Sequence, residues 1–206
     1  MARVPIVSHD VIVLCRLIHP SNAPSYVDVR PWAHARESQC FENVRERVNL
    51  EGGRIQYGWA LWQPSGAFLA GEHHAVYEPQ SGPPWIDITP HKSGAIRILF
   101  LQDEEAVYRN KLVDNKRLPL VDDGRVIEFL RLNGECIDVE NSIRSAGHLT
   151  PSARERSEQR RDEIRSRIDS LRAELNEAYP LPRLYPDDPC FCGSLKNYGD
   201  CRHHLY

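Results

Sequence analysis

Hydrophobic residues near the start of the chain form two blocks separated by a polar stretch. Residues 4–18 are rich in β-branched side chains and predict one or two strands, with a turn near residues 8–10. Residues 19–31 are rich in Pro, Ser and Asn, which is typical of a loop. Residues 37–50 contain neither Gly nor Pro and predict a helix that ends at the glycine pair that follows.

Beyond these glycines the hydrophobic period changes to two, which predicts strands. Apolar residues alternate with small or polar ones over 55–61, and further strands are expected over 68–78 and 85–89, with turns between them. Another strand is expected over 95–101, whereas residues 103–135 are mixed and give no assignment. The simplest arrangement is a helix packed on an antiparallel sheet, so the predicted fold class is α+β.

Residues 150–178 form a charged segment with seven Arg, seven acidic residues and no Gly, which predicts a solvated helix. Thr150 followed by a proline has the pattern of an N-cap and first helical position. Four aliphatic residues, spaced by four, three and four positions, form one narrow apolar stripe: Ile164, Ile168, Leu171 and Leu175. The stripe either docks on its own domain or on a second copy, or the helix is a spacer, and the sequence leaves these alternatives open. A proline-rich connector, residues 179–189, follows.

The overall composition fits one core with an appendage. The chain has 206 residues, of which 41% are hydrophobic, and its formal net charge is −3. One core of about 150 residues is expected, which we place at residues 1–146. A broad electrostatic contact with nucleic acid or an anionic membrane is disfavoured by this charge balance. Because the chain has no apolar run near the ~20 residues that span a bilayer and no signal peptide pattern, we expect a cytoplasmic protein.

Three of the six cysteines crowd residues 190–206. Cys190 and Cys192 are one residue apart, and Cys201 follows after eight intervening residues. In a reducing cytoplasm such clustered thiolates are more typical of zinc than of disulfides. Three thiolates and one imidazole supply the tetrahedral donors of a structural zinc, which would replace an apolar core that so short a segment cannot form. Residues 190–206 are therefore predicted to be a zinc module.

The same segment resembles the SEC-C motif, a small zinc-binding tail found on the motor ATPase of bacterial preprotein translocation and on many other bacterial proteins. The resemblance lies in Asp-Pro before the first cysteine, in Cys-x-Cys-Gly-Ser and in Lys-x-Tyr. The family usually has Cys or His directly after the third cysteine, but Arg202 stands there, so the fourth ligand is His203 or His204, of which we prefer His203. The resemblance implies a structural Zn²⁺ site that docks on a protein partner.

A second group of candidate residues lies in the predicted core. Cys40 stands at the start of a predicted helix, where unpaired backbone N–H groups and the helix dipole favour a thiolate. His73 and His74 follow on a predicted strand, and Asp87 stands among apolar strand residues, where an acid needs a partner for its charge. Successive strand residues face opposite sides, so one of the two histidines points away from any cleft, and alternation alone cannot select it.

The order Cys, His, Asp resembles the papain-like superfamily in the permutation shared by transglutaminases, arylamine acetyltransferases and N-terminal glutamine amidases. The resemblance implies Cys40 as nucleophile, His74 as general base and Asp87 as the residue that orients the imidazole, with the Cys40 backbone N–H and Gln39 as oxyanion donors. The implied core is a helix packed on an antiparallel sheet, and the implied reaction is acyl transfer on a peptide or amide substrate. Four segments also look like a block found in uncharacterised bacterial SEC-C proteins: residues 39–44, 57–59, 72–77 and 86–90.

Other interpretations of these residues remain open. A cysteine on a helix is usually a core residue, so Cys40 is also compatible with a packing role. The protein would then be a non-enzymatic zinc-binding adaptor. A second alternative is a factor associated with ribosomes or nucleic acid, which the single lysine of the tail disfavours. Cys15 and Cys136 are expected in strands or turns without an acid–base partner, and His91 is expected in a loop.

Overall fold

The computed structural model describes residues 3–145, 150–181, 183–190 and 196–201. In chain order the elements are α1 (His9–Ile18), β1 (Ser25–Val29), α2 (Cys40–Glu51), β2 (Arg54–Ser65), β3 (Phe68–Glu78), β4 (Ile86–Asp87), β5 (Arg97–Gln102), β6 (Lys116–Pro119), α3 (Gly124–Ser145) and α4 (Pro151–Ala178). The helices and strands confirm the expected α+β class. None of the helices in the described ranges is both long and apolar enough to cross a membrane.

Five strands close into a barrel. Around the barrel the order is β2, β5, β1, β4 and β3, and β3 pairs back onto β2. β6 extends the sheet from one end of β3, where Gly71 lies opposite Lys116. Neighbouring strands are antiparallel except β1 and β4, which are parallel, with Asp28 opposite Ile86. The prediction of an antiparallel sheet is therefore wrong, because the sheet is mixed. The sheet is also closed, and closure pairs strand edges that an open meander would leave exposed.

The close packing of β2 between β3 and β5 depends on a glycine. Gly58 lies opposite His74 on β3 and Gln102 on β5. A Cβ atom at this position would lie 2.1 Å from the Leu101 carbonyl oxygen, so any larger residue would force β5 away. The glycine therefore allows the barrel to close directly beside His74.

The first segment of the chain is a helix and not the strands expected from its β-branched residues. Ser8 caps α1 by accepting a hydrogen bond from the Val11 backbone N–H at 3.3 Å. Buried Val11, Leu14 and Cys15 share one helix face, because they are three and four residues apart. Their burial against the barrel outweighs the preference of β-branched residues for strands. The strand in this part of the chain is β1, which lies within the segment expected to be a loop.

The other predicted strands agree with the structure to different degrees. The segments 55–61, 68–78 and 95–101 correspond to β2, β3 and β5. Of the segment 85–89, only the two residues of β4 belong to a strand. The unassigned region 103–135 contains β6 and the first half of α3, so Cys136 lies in a helix and not in a strand or turn.

The apolar stripe of α4 docks on the same chain. Thr150 caps the helix with its side chain, and all four stripe residues are buried. They pack with Phe68 of β3 and Phe129 of α3 in one cluster. Just beyond α4, the Tyr179 carbonyl accepts a hydrogen bond from the Gly66 N–H at 2.8 Å, which ties the helix end to the turn between β2 and β3. α4 is therefore part of the core and not a solvated spacer.

Candidate functional site

A buried asparagine fixes the start of α2. Asn43 accepts a hydrogen bond from the Arg36 backbone N–H at 2.9 Å and donates one to the Arg36 carbonyl at 2.8 Å. Its side chain also donates to Thr89 Oγ1 at 3.1 Å, two residues beyond the end of β4. These bonds hold the loop before α2 against the end of β4. Cys40, the first residue of α2, is therefore held close to β4.

β3 and β4 bring His74 and Asp87 together. His74 Nε2 lies 3.0 Å from Asp87 Oδ2, and the Thr89 backbone N–H donates to Asp87 Oδ1 at 2.9 Å. Asp87 is fully buried, and His74 is nearly so. Because an ionised carboxylate only accepts hydrogen bonds, the hydrogen is on Nε2 of His74. The Nδ1 atom of the same ring is left for a second partner.

Cys40 lies beside His74, close enough for its side chain to contribute both a charge and a hydrogen bond to the pKa of this ring. Burial lowers the pKa of His74, but the charges of Asp87 and Cys40 and their hydrogen bonds outweigh it and raise this pKa well above its ordinary value. Burial likewise opposes ionisation of Asp87, yet the charge and hydrogen bond of His74, with those of His91, hold the pKa of Asp87 below its ordinary value. The structure thus brings together the three predicted residues Cys40, His74 and Asp87, in surroundings that favour a charged His74.

A fourth residue, His91, belongs to the same group. Its Nε2 lies 2.6 Å from Asp87 Oδ2, the oxygen that His74 also contacts. The ring centroids of the two histidines are 5.8 Å apart. Sequence reasoning missed His91 because a residue in an irregular turn has no periodic signal, although its spacing of four residues from Asp87 could have suggested the contact. We call Cys40, His74, Asp87 and His91 the site cluster.

The neighbouring His73 has a packing role. Its Nε2 lies 2.6 Å from the Ala106 carbonyl oxygen, to which it donates a hydrogen bond. Its ring packs between Phe41 and Trp59, with centroid distances of 4.6 and 5.3 Å. Burial lowers the pKa of His73, which favours a neutral ring. The contacts therefore select His74 as the histidine of the site, which alternation alone could not do.

The site cluster opens onto a cavity of about 850 Å³, a volume typical of small-molecule sites. α3 holds one wall of this cavity, because Asn141 accepts from the Leu112 backbone N–H at 3.0 Å and donates to the Leu112 carbonyl at 2.9 Å. Aromatic residues that line the cavity are Phe41, Trp62 and Tyr108. Its charged lining residues are Glu37, Glu42, Glu72, Lys92, Lys111 and Arg144. The cavity gives a ligand with both polar and apolar parts access to Cys40.

Three residues of the site cluster also form a possible metal-binding group, since ligand atoms of His74, Asp87 and His91 all lie within 4.8 Å of one another. Two donors on one tetrahedral zinc are separated by about 3.3 Å, given zinc–ligand bonds of about 2 Å. The observed distances to Asp87 Oδ2, 2.6 and 3.0 Å, are those of hydrogen bonds. The geometry therefore fits an acid–base group better than a metal site.

The predicted zinc module is described only in part. Cys190 and Cys201 are buried and form one small cluster with Tyr198. The Cys190 backbone N–H donates a hydrogen bond to the Lys196 carbonyl at 2.9 Å. The other candidate ligands lie outside the described residues: Cys192, His203 and His204.

Comparisons with known proteins give no match for this chain. No family model matches it, and no curated protein or solved structure matches it either. The chemistry of the site cluster is therefore argued from its own geometry.

Proposed function

We propose that the protein is a thiol-dependent acyl hydrolase or acyltransferase that acts on a peptide or amide. The observation that carries this proposal is the contact of the Cys40 thiol with His74, whose Nε2 donates to the buried Asp87. A nucleophile, its base and a group that orients the base are thus adjacent. The cavity gives an acyl compound access to Cys40 and His74.

In the acylation step, His74 takes the thiol proton of Cys40 and the sulfur attacks the acyl carbon, forming a C–S bond. The tetrahedral oxyanion then collapses, the bond to the leaving amine breaks, and His74 returns the proton to the amine nitrogen. Water or an acceptor amine next loses a proton to His74 and attacks the thioester. The C–S bond breaks and the sulfur regains the proton from His74. Asp87 stays ionised throughout, which its lowered pKa supports, and stabilises the positive charge of His74.

The start of α2 supplies a donor for the oxyanion. The first backbone N–H groups of a helix have no acceptor within that helix, and Cys40 is the first residue of α2. The N–H of the nucleophile therefore lies next to the carbon at which negative oxygen develops, where the helix dipole also favours negative charge. The side chain of Gln39 lines the cavity and is the second donor of this proposal.

We also propose that residues 190–206 hold a structural Zn²⁺ and dock the protein on a protein partner. Two thiol groups, those of Cys190 and Cys201, are buried in one cluster within a segment that is too short for an apolar core. Thiolates are preferred zinc ligands, so the donor set fits the metal, with Cys192 and His203 as the remaining ligands. Four filled positions leave none for a reacting water, which makes this zinc structural.

The acyl-transfer proposal is tested by alkylation of the intact protein with iodoacetamide near neutral pH, followed by mass spectrometry of the cysteine-containing peptides. We expect Cys40 to react at least about tenfold faster than the less buried Cys136, because the thiolate is the reactive form. Cys15 is a slow internal control, since burial raises its pKa to about 11. Cys40→Ser removes the fast reaction and abolishes turnover of any true substrate found among acyl esters and amides. Equally slow reaction of all three cysteines would contradict the proposal and favour the adaptor.

The tail proposal is tested separately by metal analysis. The full chain is expected to carry about one zinc per molecule, and a chain that ends at Pro186 is expected to carry none. Cys190→Ser should lose the metal while Cys136→Ser keeps it. Equal zinc content in all four proteins would contradict the proposal. RNA binding with a steep salt dependence would instead favour the alternative of a ribosome-associated or nucleic-acid-associated factor.

A further inference from the structure

We propose that His91 is a positioning residue that holds Asp87 in the orientation in which it supports His74. The inference rests on the proposed function and adds a residue to its machinery. Asp87 Oδ2 accepts hydrogen bonds from two rings, at 3.0 Å from His74 Nε2 and at 2.6 Å from His91 Nε2. The bond to His91 is the shorter of the two, so His91 contributes directly to the placement of the oxygen on which His74 depends.

Asp87 needs this support because it is fully buried. A buried carboxylate must receive its hydrogen bonds from the protein, since water does not reach it. The Thr89 backbone N–H holds Oδ1, and the two histidines share Oδ2. Without His91, only the movable ring of His74 would donate to Oδ2. The carboxylate would then be free to turn about its own axis and weaken the bond to His74.

The turn that carries His91 is itself held in place. Thr89 Oγ1 accepts a hydrogen bond from Asn43 of α2, the helix that begins with Cys40. The ring of His91 lies 5.4 Å from that of Trp62 on β2 and is 14% exposed. His91 therefore contacts both Trp62 of β2 and Asp87 of β4, and donates from a defined position. Because the His91 ring is held in position, its hydrogen bond can hold the Asp87 carboxylate in one orientation.

The test compares His91→Gln with His91→Leu. The glutamine side chain can place its amide N–H near the position of the imidazole Nε2, whereas leucine fills the space without a donor. The first measurement is the rate of Cys40 alkylation by iodoacetamide near neutral pH. We expect His91→Leu to slow it by about tenfold, the effect of losing one charge-assisted hydrogen bond, and His91→Gln to keep it within about threefold of the wild type.

The second measurement distinguishes a positioning role from a merely structural one. The hydrogen between His74 Nε2 and Asp87 should give a low-field proton resonance in the nuclear magnetic resonance spectrum, assigned by its absence in His74→Gln. This resonance is expected to keep its position in His91→Gln and to shift or broaden in His91→Leu, at a temperature at which both variants are folded by circular dichroism. An unchanged resonance and an unchanged alkylation rate in His91→Leu would overturn the proposal. Equal losses in both variants would also overturn it, because glutamine retains the donor.

The two proposals fail in different ways. If the wild-type Cys40 reacts no faster than Cys136, the acyl-transfer proposal fails, while the resonance of the His74–Asp87 hydrogen still reports on His91. If Cys40 is fast in the wild type and equally fast in His91→Leu, only the role of His91 is wrong.

Discussion

Two groups of ionisable side chains in this protein differ in their surroundings. In the site cluster, one fully buried carboxylate accepts hydrogen bonds from two imidazoles. Along α3 and α4, ion pairs lie on the surface, as in the pair of Arg167 with Glu128 at 2.8 Å, whose side chains are 46% and 36% exposed. We call these surface pairs the α3–α4 network, which comprises Glu128, Glu135 and Glu140 on α3 with Arg160, Arg161, Arg165 and Arg167 on α4.

The comparison shows that burial, more than the number of ion pairs, decides how strongly paired charges shift each other's pKa. Exposed pairs are screened by water and salt, so each contributes little to stability. The side chains of His74 and Asp87 are shielded from water, and there the same attraction raises the pKa of His74 and lowers that of Asp87. The network keeps α4 solvated, while the apolar stripe attaches it to the core. The chemistry is therefore expected in the small buried cluster.

The largest expected effect comes from removing the base. His74→Gln is expected to slow alkylation of Cys40 at neutral pH by at least about a hundredfold, because the thiolate loses its cationic partner. The rate is measured by mass spectrometry of the Cys40 peptide. The matched control is His73→Gln on the same strand, which should stay within about fivefold of the wild type. Similar rates in the two variants would contradict the role given to His74.

Asp87→Asn tests how much the buried ion pair of Asp87 and His74 contributes to the free energy of unfolding. We expect a loss of about 3 kcal/mol in the free energy of unfolding, since one partner of a buried ion pair is removed. A lowered pKa means that Asp87 stabilises the fold above its unfolded value of about 3.9, and that this contribution is lost as pH falls. A raised pKa means that His74 stabilises the fold below about 6.5, and that this contribution is lost as pH rises.

The difference in stability between the wild type and Asp87→Asn should therefore be largest between about pH 4 and 6.5. Urea unfolding at a series of pH values measures it. Asp138→Asn, which makes the same change at an exposed position of α3, should have little effect at any of these pH values. A difference for Asp87→Asn that is constant across the whole range would show that its charge is not coupled to His74.

Leu171→Ala tests whether the stripe attaches α4. Leu171 is fully buried, and we expect its truncation to lower the free energy of unfolding by about 3 kcal/mol, the usual cost of a cavity of this size. Leu17→Ala is the matched control, because Leu17 on α1 is 67% exposed. If the two substitutions destabilise the protein equally, the stripe is not what holds α4.

The smallest effect is expected in the α3–α4 network. Arg167→Gln breaks the pair with Glu128 and should shift the midpoint of thermal unfolding by less than about 2 °C. The alkylation rate of Cys40 should not change, since the pair lies on the surface of α3 and α4. A loss of stability comparable to that of Leu171→Ala would contradict the contrast between the two regions.

Several parts of the fold and the site were accessible from local patterns. The alternation that predicts β2 and β3 comes from neighbouring residues that face opposite sides, and the spacing of the α4 stripe comes from one helix face. Cys40 was placed at a helix start because the polar and apolar spacing begins there. Asp87 was singled out because an acid among apolar residues must have a partner, and the structure provides His74.

Other parts could not be read from the chain alone. Residues 9–18 have β-branched side chains that favour a strand, and only their burial against the barrel selects α1. The short strand β1 lies in a segment whose composition is typical of a loop. His91 reaches Asp87 only because the turn after β4 folds back, and turns of this kind leave no repeating pattern.

The sequence by itself determined the features whose cause lies within a few residues: the end of α2 at Gly52, where φ is 72°, the hairpin of β2 and β3, and the stripe of α4. Only the tertiary structure decided that β1 lies beside β4, that the sheet closes, and that two histidines share one carboxylate. The physical reason is that these contacts join segments distant in sequence or placed by irregular turns. Their free energy depends on how the whole chain packs, and local periodicity does not record it.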